Sequence, residues 1–284
     1  MTEPTASAHA GRHAGTPTSP CVRLHLRTQT LATDARGYHR WETRTAEQVV
    51  PAEAAAIIIC DMWDDHWSRG ASERVTAMAP RMNQILTAAR ASGMQIIHAP
   101  SETMAFYANT PARQRVLNAP AVEPPPPLDH PDPPLPVDAS DGGSDTGEPS
   151  WHPAWSRQHP ALEIDQARDG IADEGVAIYR FLRQRGIKQV CIMGVHTNMC
   201  VLNRTFAIKA LVRWGVPVAL VRDLTDAMYN PARSPYVSHD EGTRLIIEYI
   251  EKFWCPTIAS TDLLGDSGGS VALGRAAGVP GSDQ

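Results

Sequence analysis

Four short apolar runs alternate along the chain with longer segments in which apolar residues recur every three or four positions. The runs are Ala54–Cys60, Met94–Ala99, Gln189–Gly194 and Val216–Arg222. The segments with helical periodicity lie near residues 72–92, 173–185, 199–213 and 240–253. Apolar strands followed by amphipathic helices are typical of βαβ units, in which a mostly parallel sheet is covered on both faces. The pattern predicts an α/β protein with three layers, α/β/α.

Other segments of the chain lack this periodicity. Residues 1–20 and 265–284 are rich in small and polar residues, so we expect disordered tails. Residues 119–153 contain the run Pro124 to Pro127 and further glycines and prolines, which predicts a long insertion loop. Residues 21–43 alternate apolar and polar positions, as in a hairpin at a sheet edge. We therefore expect one domain over residues 21–264.

Composition narrows the kind of partner. The 284 residues carry 26 Lys and Arg against 31 Asp and Glu, a formal net charge of −5 without long runs of one sign. This balance argues against nucleic acid or an anionic membrane as a partner and favours a small molecule. We find no apolar stretch of spanning length and no signal-peptide pattern near Met1, so we expect a cytoplasmic protein.

Cysteine spacing points away from structural roles. The 5 cysteines, at positions 21, 60, 191, 200 and 255, form no CxxC pair. This pattern predicts free thiols, with neither a disulfide framework nor a zinc knuckle. Cys200 stands out because it follows Gly194-Val195-His196-Thr197-Asn198-Met199 at the expected start of the helix 199–213. Backbone N–H groups at a helix start favour a thiolate, and Thr197 or Asn198 could cap that helix.

Asp61 is the candidate partner of Cys200. It directly follows the apolar strand Ala54–Cys60, and ligands of open α/β sheets bind at the carboxyl ends of the strands. Burial at such a strand end would raise the pKa of a carboxyl group toward the range of proton transfer. The same rule places Trp63, His66, His98 and Asn198 on the rim, where we predict that they line a substrate pocket. Asp223 and Asp226 either line it too or fix its loops.

A strand that ends in Asp61, followed by a strand that leads through Gly-Val-x-Thr-x-x-Cys-Val to Cys200, resembles the isochorismatase-like cysteine hydrolases. The resemblance covers roughly residues 50–265 and implies a six-stranded parallel sheet with helices on both sides. It also implies an Asp–Lys–Cys triad, a cis peptide at Val195–His196, and an oxyanion hole formed by the backbone N–H groups of His196 and Cys200. No cofactor is implied, and homo-oligomers are common in the family.

The sequence departs from the family at the lysine. Lys188, Lys209 and Lys252 are the lysines of this chain, and none lies at the family position upstream of the cysteine strand. By position, Arg157 and Arg168 are the candidates to replace it. Arginine would hold Asp61 or the substrate in place without exchanging protons. An ordinary surface role for each arginine stays open.

A metal site is not expected, because the rim lacks three or four ligands at workable spacing. The favoured hypothesis is hydrolysis of a carbon–nitrogen amide or ureide bond in a small molecule through a covalent intermediate on Cys200. Two alternatives stay open. One is isochorismatase-type hydrolysis of a vinyl ether, which uses the aspartate without the cysteine. The other is a non-catalytic binding or assembly role.

Overall fold

The computed structural model describes residues 20–148 and 152–264. Of the two predicted tails, only Pro20 falls within these ranges, so the predictions of disorder at residues 1–19 and 265–284 lie outside the described residues. No described helix has the length and hydropathy that a membrane-spanning segment requires.

The described residues form one sheet of eight strands. They are β1 (Cys21–Thr33), β2 (His39–Pro51), β3 (Ala55–Cys60), β4 (Gln95–Ala99), β5 (Gly170–Ile171), β6 (Gln189–Val195), β7 (Val218–Asp226) and β8 (Thr257–Ile258). Their order is β2-β1-β8-β7-β6-β3-β4-β5. The run from β8 to β5 is parallel, while β1 pairs antiparallel with both β2 and β8. The predicted six-stranded parallel sheet with an N-terminal edge hairpin is confirmed.

Helices cover both faces of the sheet. They are α1 (Arg69–Ser92), α2 (Met104–Tyr107), α3 (Pro111–Leu117), α4 (Gly175–Gln184), α5 (Cys200–Asn203), α6 (Ile208–Arg213) and α7 (His239–Phe253). Alternation along β3 explains the two faces: Ile58 and Cys60 enter one apolar core, and Ile57 and Ile59 enter the other. A central parallel strand is apolar throughout because both of its faces are covered.

The single helix predicted over residues 199–213 is wrong, since the chain leaves the helix between α5 and α6. Arg204 ends α5 in an extended conformation, with ψ of 152°. Thr205 then packs against the start of α4, where its hydroxyl accepts a hydrogen bond from the Gly175 N–H at 3.0 Å. A Cβ atom on Gly175 would lie 2.0 Å from the Thr205 carbonyl oxygen. Close packing between the two segments therefore overrides local helix propensity.

The insertion over residues 119–153, as far as it is described, is irregular chain that packs onto the domain. The Leu128 N–H donates to the Arg213 carbonyl at 2.7 Å, and the Asp138 N–H donates to the Ser234 carbonyl at 2.8 Å. Further along, Asp145 accepts two hydrogen bonds from Arg74 of α1. These contacts hold the later part of the insertion beside the carboxyl ends of β3 and β6.

Candidate active site

Asp61 lies at the end of β3, and its side chain is fully buried. Its φ of 47° is in the left-handed region, which few residues other than glycine adopt and which Asp tolerates better than most. One carboxylate oxygen accepts a hydrogen bond from the Ser101 N–H at 2.8 Å. Trp63 holds that loop, because its indole N–H donates to the Ser101 carbonyl at 3.0 Å. Asp61 is therefore fixed by the chain that follows β4.

Cys200 is the first residue of α5, which follows the strand β6 that neighbours β3, and it lies beside Asp61. The two side chains lie close enough for the charge of Asp61 to raise the pKa of the Cys200 thiol, while the His196 N–H acts on that pKa in the opposite direction. The register pairs Cys60 of β3 with Gly194 of β6, so the segments that follow these two strands leave the sheet side by side. The peptide bond Val195–His196 is cis, as the family resemblance implies.

Arg204 supplies the positive charge beside this pair. Its Nε donates to the second carboxylate oxygen of Asp61 at 2.9 Å, and both of its terminal nitrogens donate to Glu102 at 3.1 Å. The guanidinium also lies over the Trp63 ring at 5.9 Å. Glu102 itself has a φ of 67°, a costly conformation for a glutamate. Asp61, Cys200 and Arg204 thus form one contiguous cluster.

Arg204 was not foreseen, although its spacing gave a signal. Side chains four residues apart lie on the same side of a helix, so an arginine at this position shares a face with Cys200. The family lysine lies upstream of the cysteine, so the resemblance predicts a replacement there and gives no reason to expect a cation on α5. The fold instead brings a cation to Asp61 from the cysteine side.

The structure places the two expected arginines elsewhere. Arg157 lies 3.7 Å from Asp64, with 47% of its side chain exposed. Arg168 donates to the Arg90 carbonyl, near the amino end of β4. Neither arginine contacts Asp61, so the prediction that one of them replaces the family lysine is corrected to Arg204.

His98 also lies away from the pocket. It is fully buried in β4, where its ring nitrogens contact the Gln158 side chain at 2.8 Å and Asp169 at 3.0 Å. Asp169 forms a further buried ion pair with Arg90 at 2.8 Å. The prediction that His98 lines the pocket is therefore wrong. His98 is instead a core histidine whose two ring nitrogens both have hydrogen-bonding partners.

Asn198 and Thr197 connect loops rather than cap α5. The Asn198 side-chain amide donates to the Met228 carbonyl at 2.8 Å and accepts from the Met228 N–H at 2.9 Å. The Thr197 hydroxyl lies 2.7 Å from that of Thr225. The N-cap of α5 is Met199, without a side-chain cap. Asn198 thus tethers the loop after β6 to the loop after β7, and it does not line the pocket.

The aspartates near the end of β7 fix neighbouring segments. Asp223 accepts hydrogen bonds from the backbone N–H and the hydroxyl of Ser260, both at 2.7 Å. Asp226 lies 2.8 Å from Arg74 and 2.9 Å from His239. Of the two roles left open by the sequence, loop fixing is therefore the one that these contacts describe.

A cavity of about 480 Å³ opens onto Cys200 and Arg204. Trp63 and His66 line it, as their sequence positions predict. The other lining residues come from several loops: Trp67, Glu102, Ser140, Asp141, Gly142, Glu148, Trp155, His196, Met199 and Met228. Several of these belong to the insertion, which therefore forms one wall of the cavity. Within the described ranges, no cluster of three or more His, Cys, Asp or Glu side chains is arranged to hold a metal ion.

Burial dominates the protonation of the cluster. It raises the pKa of the Asp61 carboxyl, although Arg204 and the hydrogen bonds from Ser101 and Cys200 act in the opposite direction. Burial, and then the negative charge of Asp61, raise the pKa of the Cys200 thiol well above its ordinary value. The expected thiolate at the helix start is thus corrected, because loss of solvation outweighs the short helix. Cys200 is therefore a thiol beside the Asp61 side chain.

Comparison with known proteins gives similar folds at low identity. No protein-family model and no curated protein matches the sequence. A cysteine hydrolase from Pseudomonas syringae pv. phaseolicola is 18% identical, with a TM-score of 0.47, over 76% of this chain and 92% of that chain. An isochorismatase family protein from Burkholderia thailandensis is 14% identical, with a TM-score of 0.42, over 75% and 94%. The N-carbamoylsarcosine amidase from Thermoplasma acidophilum is 12% identical, with a TM-score of 0.40, over 72% and 96%.

Proposed function

We propose that this protein is a cysteine hydrolase of the isochorismatase-like kind, which cleaves a carbon–nitrogen amide or ureide bond of a small molecule. The observation that carries the proposal is that Cys200, on the wall of a cavity of about 480 Å³, lies beside the buried Asp61 carboxyl behind that wall. A nucleophile beside a general base, open to a substrate-sized cavity, is the arrangement that covalent hydrolysis requires.

Asp61 moves the protons in the proposed reaction. It takes the thiol proton as the Cys200 sulfur attacks the carbonyl carbon, and the carbonyl π electrons move onto oxygen. The carbon–nitrogen bond then breaks as Asp61 returns the proton to the leaving nitrogen, which leaves a thioester on Cys200. Asp61 next takes a proton from water, whose oxygen attacks the thioester, and the proton returns to the departing sulfur. A carboxyl whose pKa is raised by burial suits both directions of transfer.

Arg204 keeps Asp61 ionised and oriented without joining the proton transfers. The guanidinium stays charged over the whole range in which proteins are stable, so it stabilises the carboxylate form of its partner. The two terminal nitrogens of Arg204 donate to Glu102, which holds the guanidinium in place. The Nε of Arg204 is thereby kept against the second carboxylate oxygen of Asp61. The N–H groups of His196 and Cys200 are the proposed donors to the oxyanion.

The raised thiol pKa has a consequence for the order of events. A free thiolate would need to exist beside the Asp61 carboxylate in a buried site, which two negative charges disfavour. Thiol deprotonation is therefore concerted with attack, since the proton reaches Asp61 only as negative charge moves onto the substrate oxygen.

Ammonia release from a panel of small amides and ureides tests the proposal. We expect release that requires both Cys200 and Asp61, with Cys200→Ala as the blank and Arg157→Gln, which removes a cation outside the cavity, as the matched control. Trapping of a covalent adduct on Cys200 by rapid acid quench and mass spectrometry reports the thioester directly. Hydrolysis that persists in Cys200→Ala would exclude Cys200 as the nucleophile, and absence of hydrolysis across the panel, with no Cys200 adduct, would favour a binding protein.

A further inference from the structure

The cavity beside Cys200 is unusually rich in carboxylates. Glu102, Asp141 and Glu148 line it, whereas Arg204 is its one lining Lys or Arg side chain in the described part of the chain. The charge of Arg204 is already shared between Asp61 and Glu102. His66 and His196 add no positive charge at neutral pH, because burial lowers the pKa of His66 to about 4 and that of His196 to about 3.

Glu148 is an anion held by hydroxyl groups of the insertion. Its Oε2 accepts hydrogen bonds from the hydroxyls of Ser144 at 2.5 Å and Thr146 at 2.7 Å. The Ser144 hydroxyl is in turn 2.9 Å from that of Ser68, at the start of α1. Within residues 20–148 and 152–264, Glu148 forms no ion pair. The hydrogen bond from Ser144 lowers the pKa of Glu148 to about 2, so the group is ionised.

Aromatic rings line the same cavity as this carboxylate. Trp155 stacks on Trp63 with 4.1 Å between ring centroids and an interplanar angle of 9°. His66 lies between this stack and Trp67, with centroid distances of 5.7 Å to Trp155 and 5.4 Å to Trp67. Gly142 of the insertion, with a φ of 87°, closes against Trp67, because a Cβ atom there would lie 3.2 Å from the ring. Tryptophan faces attract cations through the ring quadrupole.

One buried polar atom of the wall has no protein partner. The His196 side chain lines the cavity and is only 2% exposed, yet its Nε2 has no hydrogen-bond partner among the described residues. Buried polar atoms are nearly always satisfied in folded proteins, so an orphan on a cavity wall indicates a missing ligand or water. This observation is independent of the carboxylates and of the stacked rings.

From these observations we infer that the substrate carries a positively charged amine, an ammonium or a guanidinium, which Glu148 binds against the tryptophan wall while the amide bond lies at Cys200. The inference rests on the proposed function for the identity of the scissile bond. Glu102 is paired with Arg204 and Asp141 with Arg233, so a free carboxylate on the substrate would be repelled chiefly by Glu148. Charge complementarity therefore selects cationic over anionic amides.

A pair of amides of matched size provides the kinetic test. The cationic member is 4-aminobutanamide and the neutral member is pentanamide, which places a methyl group where the first has an ammonium group. We expect kcat/KM of the wild type to favour the cationic amide by about tenfold or more, the factor of one good charged contact. Glu148→Gln should reduce that preference to less than about threefold.

The control variant removes the same charge elsewhere. The control is Glu73→Gln. Glu73 lies on α1, where it forms an exposed ion pair with Arg69, and it does not line the cavity. The variant should keep the full preference for the cationic amide. An equal loss of preference in Glu73→Gln and Glu148→Gln would mean that overall charge steers the substrate, and the local site would be refuted.

Binding separates this inference from the proposed reaction. Titration calorimetry of both amides with Cys200→Ala measures charge selectivity in a protein that cannot form the thioester. Tighter binding of 4-aminobutanamide that is lost in Cys200→Ala/Glu148→Gln supports the cationic site, even if the wild type hydrolyses neither amide and the proposed reaction fails. Equal binding, preference for pentanamide, or no binding of the cationic amide would overturn the inference whatever the kinetics show.

Discussion

Replacing Arg204 by glutamine removes the cation that faces a fully buried carboxylate. Arg204 donates to Asp61 at 2.9 Å, and 28% of its side chain is exposed, so water reaches only part of the gap that the variant would leave. Breaking a buried ion pair in this way costs about 3–5 kcal/mol when the remaining charge stays ionised. Asp61 has a cheaper alternative, because it can take up a proton.

Protonation sets an upper limit on the loss of stability. Holding a carboxyl protonated above its unfolded pKa of about 3.9 costs about 1.36 kcal/mol per pH unit, or about 4 kcal/mol at pH 7 and about 1.5 kcal/mol at pH 5. The pKa of Asp61 is already raised in the wild type, so part of this cost is present there. We expect Arg204→Gln to lower the free energy of unfolding by about 2–4 kcal/mol at pH 7 and by no more than about 1.5 kcal/mol at pH 5.

The sign of the pH dependence follows from the direction of the shift. A carboxyl with a raised folded pKa binds more protons in the folded state than in the unfolded state. Stability therefore falls as pH rises from the unfolded pKa to the folded pKa. Because Arg204→Gln raises the folded pKa of Asp61 further, the variant should lose stability over a wider pH range than the wild type.

Urea unfolding at pH 5 and pH 7 measures this difference. Arg157→Gln is the matched control, since Arg157 is a half-exposed cation 3.7 Å from its partner Asp64, and its loss should cost less than about 1 kcal/mol at either pH. Arg204→Lys keeps the charge and should recover most of the stability. An equal loss at both pH values in Arg204→Gln would refute the reasoning and attribute the effect to lost packing over Trp63.

Three further predictions concern the thiol, a buried ion pair and a glycine. The rate of alkylation of Cys200 by iodoacetamide should keep rising with pH above 9, and Asp61→Asn should lower the apparent thiol pKa, since it removes the negative charge that raises it; an increase in that variant would contradict the assigned pair. Asp169→Asn should cost about 3 kcal/mol at pH 7. Burial acts to raise the pKa of Asp169, but His98 and Arg90 outweigh it and lower that pKa. The stabilisation by Asp169 is therefore present above the unfolded pKa of about 3.9 and is lost as the pH falls from there through the folded pKa. Denaturant unfolding at pH 3 and pH 7 would show this loss. Gly194→Ala places a Cβ atom 2.0 Å from the Cys60 carbonyl oxygen at a φ of 114° and should cost more than about 3 kcal/mol in thermal unfolding, whereas Gly37→Ala, with a φ of 88° and nothing within 4 Å, should cost about 1 kcal/mol.

Several features could be predicted because their signals are local. Continuous apolar runs that end in Asp61 and in Gly194 to Val195 predict parallel strands buried on both faces, and the structure has them as β3 and β6. The carboxyl-end rule then brings Cys200 to Asp61, because adjacent parallel strands deliver their following loops to one edge. The apolar runs did not predict the two shortest strands, β5 and β8. Each has two residues, which are too few to show a periodicity.

The cation at Asp61 was decided by tertiary contact. Arg157, Arg168 and Arg204 are chemically identical, and the sequence offers no measure of which one approaches a carboxylate across the fold. The break after α5, with Thr205 packed on Gly175, belongs to the same class of information. His98 shows the reverse case, because a strand-end histidine enters the core once Gln158 and Asp169 are positioned to satisfy it.

Local sequence patterns are enough to predict the layered α/β architecture, the edge hairpin, and the approach of Cys200 to Asp61. Each of these follows from patterns within one strand or from the common direction of neighbouring strands. Three other features emerge from the folded chain alone: Arg204 faces Asp61, the thiol pKa is raised rather than lowered, and the insertion adds Glu148 to the cavity wall. Those features depend on burial and on distances between side chains far apart in sequence, where no local periodicity carries the information.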